Sequence, residues 1–245
     1  MNFLLIAGAT HGFIFNVATF LYRRRIEMPV VFLNLFVFFL SLNNLQSWLL
    51  AKGYGTTLFF AQHFIFPWYV MIVPMFYAFL IYYFGLEKRC ATFLGLSKGV
   101  FIGEFLVQLV ISYGVDVGVF NARILTTYVA FEDAITLGYS IFIFTKVVVL
   151  AFRYPKRNPA ILKIDNLKWI KRTVVWGGLI FALWTVAVLL NIFSDVMKAP
   201  YSYYPLRIAS SILIYWTGYQ AFFRYMVYKD QVILRREQEK KTAGY

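Results

Sequence analysis

Glu104 lies near the centre of an apolar run, residues 93–113, and Gln108 follows it one helical turn later on the same face. An ionisable group at such a place costs on the order of 2.5–3.5 kcal/mol to insert into a bilayer, so it is expected to face other protein and to find a partner. Further polar or aromatic groups stand in comparable runs: His11, Gln62, His63, Arg207 and Trp216. The chemistry open to this set is reversible binding of a polar or charged small molecule in a cavity open to the outside. The competing reading is hydrogen bonding between helices, worth about 0.6 kcal/mol per pair. Glu132, Asp133 and Asp195 fall at the edges of runs, where simple exposure at a membrane boundary is expected.

Catalysis is not indicated. Adjacent residues on a helix diverge by about 100°, so Glu132 and Asp133 do not readily form a dyad. No nucleophile elbow, phosphate loop or zinc spacing occurs. Two isolated histidines do not make a metal or haem site, and no cofactor is implied. Cys90 is the single cysteine, so no disulfide forms within the chain.

The elements that must hold these groups are seven long apolar runs, at residues 2–21, 29–50, 58–84, 93–113, 131–151, 173–194 and 205–227. About 20 apolar residues cross a ~30 Å hydrocarbon core as a helix. Uniform hydrophobicity without barrel-type alternation requires helices, because backbone groups in lipid must be satisfied within the segment. The expected fold is an all-α integral membrane protein, a seven-transmembrane-helix bundle. Eighteen of the 24 Lys and Arg residues fall in segments 22–28, 85–92, 152–172 and 224–245, and the intervening loops hold Lys52, Arg123 and Lys198 alone. That asymmetry predicts an outside N-terminus and a cytoplasmic C-terminus. The net charge of +13 is met by anionic headgroups, and no direct nucleic-acid partner is expected.

Residues 1–228 then form the transmembrane domain and 229–245 a basic cytoplasmic helical extension, since no Gly or Pro interrupts the chain between Gly218 and Gly244. Within the longest inside loop, Ile161, Leu162, Ile164, Leu167, Trp169 and Ile170 alternate with Lys163, Asp165, Lys168 and Lys171, a pattern suited to a short helix in the headgroup plane or to an irregular basic loop. Lys98 and Lys146 are expected to snorkel towards the inner interface. Asn34, Ser41, Asn43, Asn44 and Ser47 make the second run polar, which points to helix association. A weak echo links runs one and five and runs three and seven, as in a parallel three-plus-one-plus-three repeat.

Phe66-Pro67-Trp68 with Pro74-Met75-Phe76-Tyr77, and Tyr203-Tyr204-Pro205-Leu206 with Ile214-Tyr215-Trp216-Thr217-Gly218-Tyr219, carry a resemblance, as does Trp169–Arg172. They resemble the seven-helix membrane regions at the N-termini of AraC-type transcription regulators and some sensor histidine kinases of Gram-negative bacteria. The resemblance implies a sensor of the bacterial inner membrane that passes a signal through its seventh helix to a cytoplasmic output domain. No helix-turn-helix or kinase core follows the last run, so the output is expected in a partner chain or a longer chain. The family supplies no ligand-binding residues. The expected function is therefore a membrane sensor or receptor-like module, not an enzyme. The alternatives are a small-solute transporter and a non-catalytic membrane subunit of a larger complex.

Overall fold

A computed structural model describes residues 2–22, 27–54, 64–86, 90–153, 168–193 and 203–219. They form seven helices: α1 (Asn2–Tyr22), α2 (Met28–Ala51), α3 (Tyr69–Tyr83), α4 (Cys90–Asp116), α5 (Ala122–Phe152), α6 (Lys168–Phe193) and α7 (Tyr204–Tyr219). Among the described residues there is no strand. Helices α1, α2, α4, α5 and α6 are each long and apolar enough to cross a membrane.

Ring contacts set the helix directions. Phe32 stacks on Tyr82 and Phe36 packs on Phe76, so α2 and α3 run antiparallel. Trp68 meets Phe101 while Tyr77 meets Phe93, which makes α4 antiparallel to α3. In contrast, Gly8 lies against Ser211 and His11 against Tyr215, so α1 and α7 run parallel. Helix α3 takes the middle of the bundle, packing on α2, α4 and α5 and reaching α6 through Tyr69–Trp184 and Phe79–Trp169. Small residues allow the closest approaches. A methyl group on Gly12 would stand 1.9 Å from Ser41 Oγ, so the Ser41 side chain of α2 sits directly on the Gly12 backbone of α1.

On α4 polar and apolar residues are distributed inside out. The buried positions of α4 are Cys90, Ser97, Gln108, Ser112 and Gly114, whereas Leu96, Ile102, Leu106 and Val110 lie exposed on its outer face. Comparable apolar rows cover α1, α5 and α6, as at Leu21, Phe131 and Val175. Apolar faces of this extent are stable when they meet hydrocarbon, and the protein is a multi-pass helical membrane protein. Lys98 and Lys146 stand on these outer faces, with Lys146 Nζ 4.4 Å from the centre of the Phe142 ring.

The core is uneven along the bundle. Phe76, Phe79, Leu80, Ile81 and Phe84 at the end of α3 join Phe32 and Phe36 of α2, Cys90 of α4, Val147, Leu150 and Ala151 of α5, and Trp169 and Ile170 of α6 in one buried apolar cluster. This aromatic end is where α2, α4 and α6 begin. The hydrogen-bonded carboxyl groups lie towards the other end.

Several sequence expectations need correction. The third run does not read as one helix: residues 64–67 are non-helical and α3 starts at Tyr69, because Pro67 lacks an N–H and disfavours helical geometry in the residue before it. The fifth helix begins at Ala122, not at residue 131, since Asn121 caps it by accepting from the Arg123 N–H at 2.9 Å. Trp169 and Ile170 do not lie in a headgroup-plane helix. They belong to the first turn of α6, and both are buried in the bundle. Gln62, His63, Asp195 and the extension 229–245 lie outside the described residues.

Candidate functional site

The site is assembled from the non-helical segment before α3. Its backbone is held by Gln46 on α2, whose side-chain amide donates to the Phe66 carbonyl at 3.1 Å and accepts from the Phe66 N–H at 3.2 Å. Irregular backbone in a membrane bundle needs such partners. Aromatic packing reinforces it: the Phe66 and Trp68 rings stack at 4.8 Å, and Phe64 and Phe66 both meet Phe105 of α4. The chain so anchored delivers Tyr69 at the head of α3.

Tyr69 donates its phenol hydrogen to Glu132 Oε1 on α5. Glu132 lies ten residues into α5, about 15 Å from its start at 1.5 Å per residue, and is 6% exposed. The expectation of simple boundary exposure fails here because the capped helix starts well before the apolar run. Across from it on α4, Glu104 Oε1 accepts from Thr136 Oγ1 at 2.9 Å, and Thr136 stands one turn beyond Glu132 on the same face of α5, so both carboxyls border one seam. Asp133 diverges from its neighbour as helix geometry dictates, and accepts from the Tyr203 hydroxyl at 2.8 Å, ahead of α7.

Tyr128 and Tyr139 stand on α5 one turn before and two turns after Glu132, and the Tyr139 hydroxyl donates to Ser97 Oγ at 3.0 Å. Trp184 of α6 sets its ring edge to face against Tyr69 at 6.3 Å. The group is thus two carboxyls among tyrosines and a tryptophan, between α3, α4, α5 and α6. Several buried polar atoms along these two helices have no hydrogen-bond partner among the described residues: Glu104 Oε2, Gln108 Oε1 and Ser112 Oγ on α4, and Ser140 Oγ on α5. Among the described residues no group of three or more His, Cys, Asp or Glu side chains converges as metal ligands.

Of the residues singled out from the sequence, Glu104 and Gln108 share this seam. His11, Arg207 and Trp216 lie elsewhere, and Gln62 and His63 fall outside the described residues. His11 stacks on Tyr215 at 4.4 Å, between α1 and α7. Arg207 places its guanidinium 6.0 Å from the Tyr204 ring, and its carbonyl accepts from the hydroxyls of Ser210 and Ser211. Trp216 packs on the apolar core with its Nε1 buried and without an acceptor. Sequence reasoning missed Tyr69, Thr136 and the engagement of Glu132. One signal was available: Glu132, Thr136 and Ser140 recur every four residues in an otherwise apolar helix, which marks a polar stripe.

A second polar link joins α2 to α7. Asn44 donates to Ser211 Oγ at 3.2 Å, and Ser210 Oγ donates to Asn44 Oδ1 at 2.8 Å, with all three side chains buried. In comparisons with known proteins, the chain matches no protein-family model, no curated protein and no solved structure.

Proposed function

We propose that the protein is a seven-helix, receptor-like module of the bacterial inner membrane, with its N-terminus outside and its C-terminus in the cytoplasm. It senses a small molecule or ion from the outer side and hands the signal to a cytoplasmic partner. One observation carries this reading. The aromatic end, where Phe76, Phe79, Ile81, Phe84, Trp169 and Ile170 interlock, is the end whose connecting segments hold Arg23, Lys88, Arg89 and Arg153. By the bias in basic residues it faces the cytoplasm. A close-packed apolar plug there suits a sensor, which needs access from one side, and among the described residues it offers no inward polar path for a transported solute.

The test uses accessibility and flux. In a Cys90→Ser background, cysteines placed at Ile81 and Ala151 stay unlabelled by a membrane-impermeant maleimide applied to inside-out vesicles, and proteoliposomes show no proton flux. Labelling at both positions, together with proton flux that disappears in Glu104→Gln, would replace the sensor by the transporter. That second reading draws on Glu104 and Glu132, since carboxyls in the seam of a membrane bundle are what a proton-coupled carrier needs.

A further inference from the structure

The seam between α2 and α7 is matched at one level and mismatched at the next. Asn34, Val37, Ser41 and Asn44 fall on one face of α2, and Arg207, Ser210, Ile214 and Thr217 on one face of α7, each set at the three-and-four spacing of a packing stripe. Two contacts fix the register. Asn44 bonds to Ser210 and Ser211, and a methyl on Gly12 that would meet Ser41 Oγ would also meet Ile214 Cγ2, at 3.2 Å. The two helices therefore run antiparallel, and Thr217, three residues past Ile214, comes level with Val37 and Phe38. Ser41 stands opposite Ile214, and Thr217 opposite Val37. The Thr217 hydroxyl has no hydrogen-bond partner among the described residues, and neither has Asn34 Oδ1. The two side chains are 0% and 1% exposed.

Buried polar atoms are nearly always satisfied, so two orphans on facing stripes point to a second arrangement in which they meet. The offset is one turn: Thr217 stands about four residues from the level of Asn34, or about 6 Å at 1.5 Å per residue. Sliding α7 by one turn towards the end where α2 begins removes it, and every position on the two stripes then meets its like. Thr217 comes to Asn34, Ile214 to Val37, Ser210 to Ser41 and Arg207 to Asn44. Helix α1 holds a seat for both registers. Ser211 packs on Gly8, where a methyl would lie 3.0 Å from the Ser211 Cβ and Oγ, and one turn further along the parallel α1 stands Gly12, which Ile214 covers in the observed register. Glycines four apart on one face let a neighbouring helix approach closely at either.

We infer that α7 has two registers against α1 and α2, one helical turn apart, and that its slide from one to the other is the step that carries a signal across the membrane. The role in signalling rests on the receptor reading; the second register does not. One-turn ratchets of one helix past another are two-state because packed side chains fit before and after the step and clash between. In this protein the observed register is held by the Asn44 bonds to Ser210 and Ser211 and by the 4.4 Å ring contact of His11 with Tyr215. The slide exchanges these for the pairings of Thr217 with Asn34 and of Ser210 with Ser41. By the bias in basic residues its direction is towards the cytoplasm.

Spin labels read the register in the full chain in nanodiscs, in a Cys90→Ser background. They are attached through Leu50→Cys on α2 and Tyr219→Cys on α7, at positions 40% and 58% exposed. Tyr219 stands level with Phe36, about 20 Å along the axis from Leu50, and the second register lengthens that separation by about 5 Å. Double electron–electron resonance is expected to show both distances. Gly8→Ala crowds Ser211 in the observed register and should raise the longer-distance population by about threefold or more. In that background Asn34→Leu or Thr217→Val should lower it by about threefold, the factor carried by one membrane hydrogen bond. Gly138→Ala on α5, where a methyl meets nothing within 4 Å, should leave the distribution unchanged. A single distance in both wild-type and Gly8→Ala protein overturns the inference, as does a longer distance that neither Asn34→Leu nor Thr217→Val depletes. Should Gly8→Ala not fold, a single distance in the wild-type protein overturns it alone. Failure here with the cytoplasmic end still sealed against maleimide would leave the receptor reading standing and remove only the sliding of α7.

Discussion

Replacing Gln46 by Leu tests how the polar site is positioned. The side-chain amide makes two bonds to one backbone unit, 3.1 Å to the Phe66 carbonyl and 3.2 Å from its N–H, and it can do so in only one amide orientation. Leucine keeps the volume and removes the acceptor of the Phe66 N–H, whereas the Phe66 carbonyl keeps the Trp68 N–H at 2.9 Å. Leaving one N–H without its acceptor costs about 1–3 kcal/mol, so the loss is about 2 kcal/mol. At 2–4 °C per kcal/mol for a chain of this size, the melting point should fall by about 4–8 °C. Cys90 provides the assay: it is the single cysteine and is buried, so a thiol-reactive fluorophore reports unfolding without further labelling. Gln46→Glu should do no better than leucine, because an ionised carboxylate accepts from the Phe66 N–H but turns an oxygen towards the carbonyl. A Gln46→Leu protein melting within about 2 °C of wild type, a shift worth 1 kcal/mol or less, would refute the argument, as would full stability in Gln46→Glu.

Three further outcomes are expected. Gly12→Ala sets a methyl 1.9 Å from Ser41 Oγ and should cost about 1–3 kcal/mol; adding Ser41→Ala should recover most of this in a double-mutant cycle, because the contacts then left, to Ser41 Cβ and Ile214 Cγ2, are both 3.2 Å. Asn44→Leu removes the α2–α7 link through Ser210 and Ser211, and at about 0.6 kcal/mol per membrane hydrogen bond it should lower stability by only about 1 kcal/mol; a loss several times larger would show that this link holds α7 in place. Single cysteines at Lys52 and Arg157 in a variant lacking Cys90 should label from outside and inside respectively, and the opposite pattern would invert the proposed orientation.

Glu104 and Gln108 are legible in the amino-acid sequence, because a costly group in an apolar helix has one tolerable direction, inward, and helical spacing puts both on that face. Lys98 and Lys146 take the opposite direction, to the outer surface, because a long lysine stem carries its ammonium to the interface, and composition alone requires membrane-spanning helices. The helix ends are less legible. Asn121 caps α5 upstream of the apolar run, so hydropathy misjudges how deep Glu132 lies, and Pro67 ends the helical path of a run whose composition promises continuity. What stands opposite Glu104 is settled only by tertiary packing. Glu132 lies 28 positions away in sequence and Tyr69 a further 63 from Glu132, and Gln46 reaches Phe66 across 20 residues. Helices that are apolar on nearly every side carry little periodic signal for their rotation about the axis. The fit of Gly12 to Ser41, the aromatic layer around Phe79 and the polar bonds themselves choose those rotations, and with them which side chains meet.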